Sequence, residues 1–297
     1  MKSISVLIPT FNDRCDNLVS ELVRQASTLG ICYEIIVADD GSTDTAVIEA
    51  NRNICKLPGC RLIERHENAG RTAIRNFLVT QAKYPWLLFI DSDMVVCRTD
   101  FMERYALSET ETIAYGGVVI GEARKGNLRS IYEKAHEQEH TAEKRRLSPY
   151  QDFHTANFMV RRDIMIENPF DMRYRHYGYE DVAFGKQMKQ KGIVIHHIDN
   201  PLSFEVFESN ADFISKTEEG LRTLCHFRDE LSDYSRLIRK AEHLPRLPIL
   251  WWHKLFGNWE RRNLTGPHPS LAVFNLYRLG YFVTRIQSAS TQPLSTF

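Results

Sequence analysis

Residues 86–96 read WLLFIDSDMVV, a nearly continuous hydrophobic run that ends in two aspartates one residue apart. An apolar run without alternation is typical of a strand whose two faces are both covered by helices. Similar runs precede it at ISVLIP (4–9), YEIIVAD (33–39) and RLIER (61–65), and segments of helical period separate them. This β-α-β-α-β-α-β order predicts an α/β fold with a mostly parallel sheet wound with helices.

The remaining segments are assigned by the same periodicities. We expect helices over 16–29, from the capping residues 42–44 to about 56, over 72–83, 127–146 and 181–192. Strands are expected over 112–121, 155–162 and 193–198. The chain beyond about 210 reads as helical, and the final SASTQPLSTF (288–297) as a frayed tail.

No Gly/Ser/Pro-rich linker divides the chain, so we expect one α/β domain with an appended helical region. The domain would cover 1–208, in two halves at about 1–110 and about 111–208. The C-terminal helical region would cover 209–297.

Charge and cysteine usage narrow the class of protein. Lys+Arg and Asp+Glu both count 38 in 297 residues, which disfavours nucleic acid as a partner. From Arg222 onward there are 11 Lys/Arg and 5 Asp/Glu, so a basic end follows an acidic body. The six cysteines show no CxxC pair, the N-terminal apolar run is too short for a signal peptide, and no run of about 18 apolar residues occurs. These features indicate a cytoplasmic chain with free thiols.

The aspartate pair Asp91 and Asp93 carries the first chemical hypothesis. Residues i and i+2 of an extended segment share a side, and ligands bind at the carboxyl ends of parallel strands. Two carboxylates held together favour a divalent cation, and Mg²⁺ or Mn²⁺ commonly binds substrate phosphates. A polar strand end that caps the next turn explains the motif equally well.

Three further segments place polar groups at strand or helix ends. VADDGSTD (37–44) puts Asp39 and Asp40 before a turn, and NAGRTAIRN (68–76) puts two arginines on one helix face. HYGYEDVAFG (176–185) puts Glu180 and Asp181 at a helix start, as a general base or as ordinary N-terminal acids. Turn, solvated-face and capping interpretations account for these segments taken alone, except for the carboxylate pair Asp39 and Asp40 that precedes the turn.

In order, SVLIPTFN, EIIVADDGSTD, NAGRTAIRN, LLFIDSDM and GYEDVAFG resemble the motifs of inverting, nucleotide-sugar-dependent glycosyltransferases of family 2. The resemblance covers about residues 3–205, and it implies that about 1–110 is a nucleotide-sugar half and about 111–208 an acceptor half. It implies the GT-A fold, a Rossmann-like mostly parallel sheet flanked by helices, and sugar transfer to a hydroxyl acceptor in bacterial polysaccharide or glycolipid biosynthesis. It also implies a hexosyl or N-acetylhexosaminyl donor, a UDP-sugar, and Mn²⁺ or Mg²⁺ at the DxD motif.

The resemblance implies that Asp40, with Asp39 beside it, hydrogen-bonds the base and that Arg75 faces the diphosphate. His154, Thr155 and Asn157 match the segment that lines the donor-sugar pocket. The donor contacts implied by the matching motifs are Pro9, Thr10, Phe11, Asp39, Asp40, Asn68, Gly70, Arg71, Arg75, Asp91, Ser92, Asp93 and Asn157.

The resemblance implies that Asp181 is the catalytic base and that Glu180 lies near the acceptor. It also implies that Asp91 and Asp93 bind the metal. Related enzymes often add a histidine ligand after the strand that follows the ED helix, but none occurs near Phe204 here. His197, or its neighbour His196, is the candidate; the alternative is a metal held by the DxD motif, the diphosphate and water.

The C-terminal segments LPILWWHKLFGNWERR (247–262) and PSLAVFNLYRLGYFV (269–283) are basic and rich in aromatics. Packing on the catalytic body explains them, as does peripheral contact with the inner face of a membrane that carries a lipid-linked acceptor. Two rival functions remain at this stage: a non-catalytic nucleotide-sugar-binding module and a DxD phosphotransferase. The phosphotransferase pattern fits poorly, because there the motif follows the first strand and continues to a threonine.

Overall fold

The hydrophobic runs of the first ninety residues form parallel strands in the computed structural model, which describes residues 2–291. The strands alternate with helices in the predicted order: β1 (Ile4–Thr10), α1 (Asp16–Thr28), β2 (Tyr33–Asp39), α2 (Thr45–Arg52), β3 (Cys60–Glu64), α3 (Arg71–Gln81) and β4 (Trp86–Ile90). A 3₁₀ helix, Asn53–Lys56, extends α2 to the predicted end. β1, β2 and β4 are buried almost throughout, as their apolar composition requires.

The rest of the sheet region contains shorter elements: β5 (Met94–Val95), α4 (Phe101–Ala106), β6 (Ile113–Tyr115), β7 (Val118–Ile120), α5 (Leu128–His136), α6 (Ala142–Arg145), β8 (Asn157–Arg161), α7 (Arg162–Glu167), α8 (Glu180–Lys191), β9 (Ile195–His197) and β10 (Leu202–Phe204). Five helices follow: α9 (Asn210–His226), α10 (Arg228–Leu231), α11 (Arg236–His243), α12 (Arg246–Thr265) and α13 (Leu271–Thr291). Two more 3₁₀ turns occur at Glu137–Glu139 and Ser232–Tyr234. α13 continues to Thr291, into the segment predicted as a tail, and the last six residues lie outside the described range.

Seven strands form the main sheet in the order β3-β2-β1-β4-β8-β6-β9. β1 pairs in parallel with both β2 and β4, and β8 is antiparallel to its neighbours β4 and β6. A second sheet has the order β5-β10-β7. The mostly parallel sheet and the helical C-terminal region confirm the predicted fold class.

Two predicted elements are each divided in the structure. The single strand expected over 112–121 is β6 and β7, which belong to different sheets, and the chain changes sheet at Gly116 and Gly117. Gly117 has φ +93°, and a Cβ there would clash with the Arg145 guanidinium. The helix expected over 127–146 is interrupted by the 3₁₀ turn between α5 and α6.

The chain divides into two compact units. Unit 1 contains the residues up to Gly121, Glu137–Arg175 and Glu180–Val206; unit 2 contains Glu122–His136, His176–Tyr179 and the chain from Phe207 onward. Helices α3 and α8 bury apolar residues against the main sheet of unit 1, around Phe89 and Phe158. Unit 2 has its own core around Phe213, Leu264 and Phe274. Among residues 2–291, no helix is long and apolar enough to span a bilayer.

Candidate active site

The candidate site lies at the carboxyl edge of the main sheet in unit 1. Thr10 at the end of β1 stands opposite Asp39 at the end of β2, and Asp91 directly follows β4 on the other side of β1. Three of the predicted motifs therefore reach one edge, as the parallel order requires.

Two arginines on one face of α3 connect the DxD motif to the ED motif. Arg75 Nη2 is 2.6 Å from Asp91 Oδ1, and Arg71 Nη2 is 3.4 Å from Asp91 Oδ2. The same guanidiniums reach Glu180 Oε1, Arg71 through Nε at 3.3 Å and Arg75 through Nη1 at 3.9 Å. Residues from three segments, which together span more than 100 positions of the chain, thus form a single charged cluster.

Burial and charge act in opposite directions on Asp91. Burial raises the pKa of its carboxyl, but the charges of Arg75 and Arg71 and the Arg75 hydrogen bond outweigh burial and leave the pKa below its ordinary value. The nearby charge of Asp181 opposes this lowering, which indicates that the two carboxylates interact. Asp91 is therefore ionised at neutral pH.

Asp181 lies in the first turn of α8, where a helix N-terminus favours an acid. Its Oδ1 accepts a hydrogen bond from Val182 N at 2.7 Å, and its Oδ2 is 2.8 Å from His154 Nδ1. Burial raises the pKa of Asp181, but the hydrogen bond and charge of His154 outweigh it, so the net pKa is lowered. A carboxylate offers about four lone-pair sites, so Asp181 can still accept a proton from a further partner.

The two aspartates of VADDGSTD have different surroundings. Asp40 Oδ1 pairs with Arg65 Nη1 at 2.8 Å, and Asp40 Oδ2 accepts from the N–H groups of Ala69 and Gly70 at 3.1 and 2.9 Å. Asp39 Oδ1 accepts from Ser42 N at 2.8 Å, whereas its Oδ2 accepts no hydrogen bond from the described residues. The structure therefore uses Asp40 to hold the loop that leads into α3 and leaves one oxygen of Asp39 for a ligand.

The residues present fit a divalent cation only in part. Asp91 and Asp93 supply hard oxygen ligands at the strand end, with the half-buried Ser92 between them. No group of three or more His, Cys, Asp or Glu side chains in residues 2–291 is arranged to hold a metal. Since Mg²⁺ and Mn²⁺ often bind through one or two carboxylates plus substrate phosphates, this donor set fits a cation that binds together with a diphosphate.

His197 does not complete this donor set. Its Nδ1 is 3.2 Å from Arg145 Nε and its Nε2 is 2.8 Å from Pro149 O, so both ring nitrogens contact protein groups. Burial, and to a smaller extent the charge of Arg145, lowers the pKa of His197 to about 4, with the Pro149 contact opposing. The structure makes His197 a buried neutral packing residue, and its alternative His196 points outward on β9.

Asn157 is also occupied. Its Oδ1 accepts from Tyr105 Oη at 2.8 Å, and its Nδ2 donates to Gly117 O and Asn200 O at 2.8 and 2.9 Å. A side chain that is fully buried and bonded in this way holds β8 to the sheet crossover instead of facing a donor.

The remaining candidates lie near the same edge with less distinctive contacts. Thr10 Oγ1 donates to Asp13 O at 2.9 Å, Phe11 is exposed, and Asn68 Oδ1 accepts from Gly70 N at 3.0 Å. Pro9 is the partly exposed residue of β1, between the buried Ile8 and Thr10.

Sequence reasoning missed two interactions. Arg65 follows β3, the neighbour of β2, so its position at a parallel strand end was a usable signal for its contact with Asp40. The pairing of His154 with Asp181, 27 residues later, had no sequence signal because an irregular loop places the histidine.

The sequence of this chain is similar to those of known glycosyltransferases. The Glycosyl transferase family 2 model matches residues 5–168, more than half of the chain. Chondroitin synthase of Pasteurella multocida is 24% identical over 287 residues; the match covers 83% of this chain but only 29% of that protein.

Two solved structures share the fold. Mannosyltransferase PcManGT from Pyrobaculum calidifontis, in complex with GDP-Man and Mn²⁺, aligns with a TM-score of 0.55 at 16% identity over 99% of this chain and 88% of its own. TarS 1–349 of S. aureus with UDP-GlcNAc aligns with a TM-score of 0.51 at 15% identity over 97% and 92%. The resemblance suggested by the motifs is confirmed: this chain has the GT-A fold and belongs to glycosyl transferase family 2.

Proposed function

We propose that this chain is an inverting glycosyltransferase that moves a hexosyl or N-acetylhexosaminyl group from a UDP-sugar to a hydroxyl of a glycan or lipid-linked acceptor. The observation that carries the proposal is the cluster in which Arg71 and Arg75 contact both Asp91 and Glu180, next to Asp181. It combines cations for a diphosphate with a carboxylate suited to act as a base.

The donor would lie along the carboxyl edge of the sheet. Asp39 Oδ2 is suited to accept a hydrogen bond from the nucleobase of the donor, and the exposed ring of Phe11 offers a surface on which the nucleobase can stack. Arg71 would contact the diphosphate, because its guanidinium is partly exposed whereas that of Arg75 is buried. The structural neighbours in complex with GDP-Man and with UDP-GlcNAc support a nucleotide-sugar donor. Their nucleobases differ, so the nucleobase of the donor is determined by the binding experiment below.

The proposed reaction is a single displacement. Asp181 accepts the proton of the acceptor hydroxyl, whose oxygen forms a bond to the anomeric carbon of the sugar. The bond between that carbon and the phosphate oxygen breaks, and its electron pair leaves with the nucleoside diphosphate, so the anomeric configuration inverts. His154 keeps the carboxylate of Asp181 oriented and ionised at neutral pH.

We propose that Asp91 and Asp93 of the DxD motif, together with the donor diphosphate, hold Mn²⁺ or Mg²⁺, because both carboxylates follow β4 at the carboxyl edge of the sheet. A bound cation supplies positive charge that stabilises the departing diphosphate. The Mn²⁺ in the mannosyltransferase PcManGT complex supports this assignment.

We also propose that the protein acts in the cytoplasm, in bacterial polysaccharide or glycolipid synthesis. All six cysteines are free thiols, as is usual in a reducing compartment. The similarity to chondroitin synthase supports a polysaccharide pathway.

Asp181→Asn tests the mechanism. The amide keeps the size of the side chain and can still accept from Val182 N, but it cannot take up a proton. We expect transfer to fall by about 10²–10⁴-fold, the usual contribution of a general base, with unchanged thermal stabilisation by the donor. Asp163→Asn is the matched control: Asp163 pairs with Arg161 on the surface, beyond the opposite end of β8, and its substitution should leave transfer unaltered.

The donor is identified first by thermal stabilisation with UDP-, GDP- and dTDP-sugars, each with and without Mn²⁺. We expect stabilisation by a UDP-sugar with Mn²⁺. Normal transfer by Asp181→Asn would refute the base assignment. Stabilisation by a donor with no transfer to any glycan or lipid-linked acceptor would instead favour the binding-module interpretation.

A further inference from the structure

Helix α12 of unit 2 presents an unusual exposed face. Leu247, Trp251, Leu255 and Trp259 recur every four residues, and each is between 55 and 76% exposed. Trp252 and Phe256 extend the same face, and their ring centroids lie 4.4 Å apart with the ring planes tilted by 38°. Contiguous apolar surface of this kind marks an interaction site on a folded protein.

The opposite face of α12 already has its partners within unit 2. Leu264 packs in the core with Phe213 and Phe274. Glu260 is fully buried and accepts a hydrogen bond from Trp252 Nε1 at 2.8 Å, with His253 Nδ1 at 3.2 Å from its other oxygen. The exposed apolar residues are therefore not needed to hold α12 in unit 2.

The exposed charges on α12 have one sign. Arg246, Lys254, Arg261 and Arg262 are exposed, whereas Glu260, the only acid in the helix, is buried. Arg261 pairs with Glu218, but Arg246, Lys254 and Arg262 form no ion pair with described residues. Tryptophan and basic side chains around an apolar face are the combination that binds the interface of an anionic membrane.

We propose that the exposed face of α12 is a docking surface for an anionic lipid membrane, with the helix lying in the plane of the headgroups. A second copy of the chain is a poorer occupant, since it would bring an equally basic face against this one. Tryptophan favours the lipid interface because its indole has an apolar body and one polar N–H group. A surface of this kind would bring the enzyme to a lipid-linked acceptor.

Vesicle co-sedimentation tests the proposal without any need for turnover, so its result is independent of the proposed transfer reaction. The full chain should sediment with vesicles of phosphatidylcholine and phosphatidylglycerol, and much less with phosphatidylcholine alone. Raising salt from about 0.1 to about 1 M, which shortens the Debye length from about 10 to about 3 Å, should weaken binding. Trp251→Ser with Leu255→Ser should lower the affinity at least about tenfold, because each large apolar side chain contributes about that much on burial.

Leu147→Ser with Ile166→Ser is the matched control, since both residues are exposed apolar side chains of unit 1. It should bind vesicles like the wild type. Melting temperatures should not change in either variant, because all four side chains are exposed. Failure of the wild type to bind anionic vesicles would overturn the proposal, as would equal losses in both variants. A dimer that Trp251→Ser with Leu255→Ser converts to a monomer, without vesicle binding, would assign the face to a second copy instead.

Discussion

Substitution of Arg75 by methionine should destabilise the protein strongly. Arg75 has a side chain only 2% exposed, and it lies 2.6 Å from Asp91 and 3.9 Å from Glu180, which are themselves largely buried. Methionine fills similar space but leaves Asp91 without its nearest cation and removes one of the two arginines near Glu180. Removing one partner of a buried ion pair costs about 3–5 kcal/mol, and Arg71, which still reaches both acids, favours the lower end. We expect a loss of about 3 kcal/mol, or roughly 6 °C in melting temperature for a chain of this size.

The comparison with Arg71→Met makes this prediction specific. Arg71 contacts the same two acids but is 42% exposed, so its loss should cost no more than about 1 kcal/mol. Arg75→Met with Asp91→Asn should recover part of the stability, because one unpaired charge is removed as well.

Acid should reduce the difference between wild type and Arg75→Met. The pKa of Asp91 in the native protein is below its ordinary value of 3.8, so its ion pair stabilises the fold above that pH. That contribution is lost as the pH falls through the native pKa. Thermal or urea unfolding across this range provides the measurement. A cost below about 1 kcal/mol for Arg75→Met, equal costs for the two arginines, or a difference that grows in acid would each refute the reasoning.

Three further outcomes are expected. Loss of the His154 hydrogen bond and charge in His154→Ala should raise the pKa of Asp181 and move the acid limb of kcat/KM to higher pH; an unchanged profile would contradict this. Asp40→Asn should lower the unfolding free energy by about 1–3 kcal/mol, because Asp40 holds the loop before α3. Asp39→Asn should mainly weaken donor binding, measured by calorimetry. A larger loss of stability for Asp39→Asn, or a larger loss of donor affinity for Asp40→Asn, would contradict these two roles. The pKa of His197 is about 4 in the native protein and 6.5 in the unfolded chain, so the unfolded chain binds the extra proton first as the pH falls. The free energy of unfolding should therefore fall between pH 6.5 and about 4, by at most about 1.4 kcal/mol per pH unit. In urea unfolding, His197→Gln should flatten that slope.

The first half of the fold was predictable because each strand carries its own signal. β1, β2 and β4 are buried on both faces, so their sequences are continuous apolar runs with ends correct within one residue. β5 and β10 were missed because strands of two or three residues have no detectable period. The division of 112–121 depends on two glycines, and the need for them is visible only in the packed structure. Arg145 packs against Gly117, and the clashing groups at Gly116 belong to Tyr105, Asn157 and Asn200.

The predictability of the site follows the same logic. Sequence order placed Asp91 at a strand end and both arginines on one face of α3, and these positions meet in the structure. Which oxygen remains for a ligand depends on tertiary hydrogen bonds, and so Asp40, favoured from the motif, is occupied while Asp39 keeps an oxygen. The contacts of His197 were unpredictable for a related reason, because alternation indicates which face a strand residue takes but not which partners it meets on that face.

The charged cluster around α3 has a consequence for the order of events during binding. Asp91, Glu180 and Asp181 are three acids, whereas Arg71 and Arg75 are two guanidiniums, so by formal charge the cluster is anionic. A diphosphate that approaches alone meets net repulsion there, and one that carries a divalent cation does not. For a cation bound at the DxD motif as proposed above, nucleotide affinity and cation affinity would raise each other by the same factor, as thermodynamic linkage requires. The protein would thereby distinguish the cation-bound donor from the free nucleotide before any chemistry takes place.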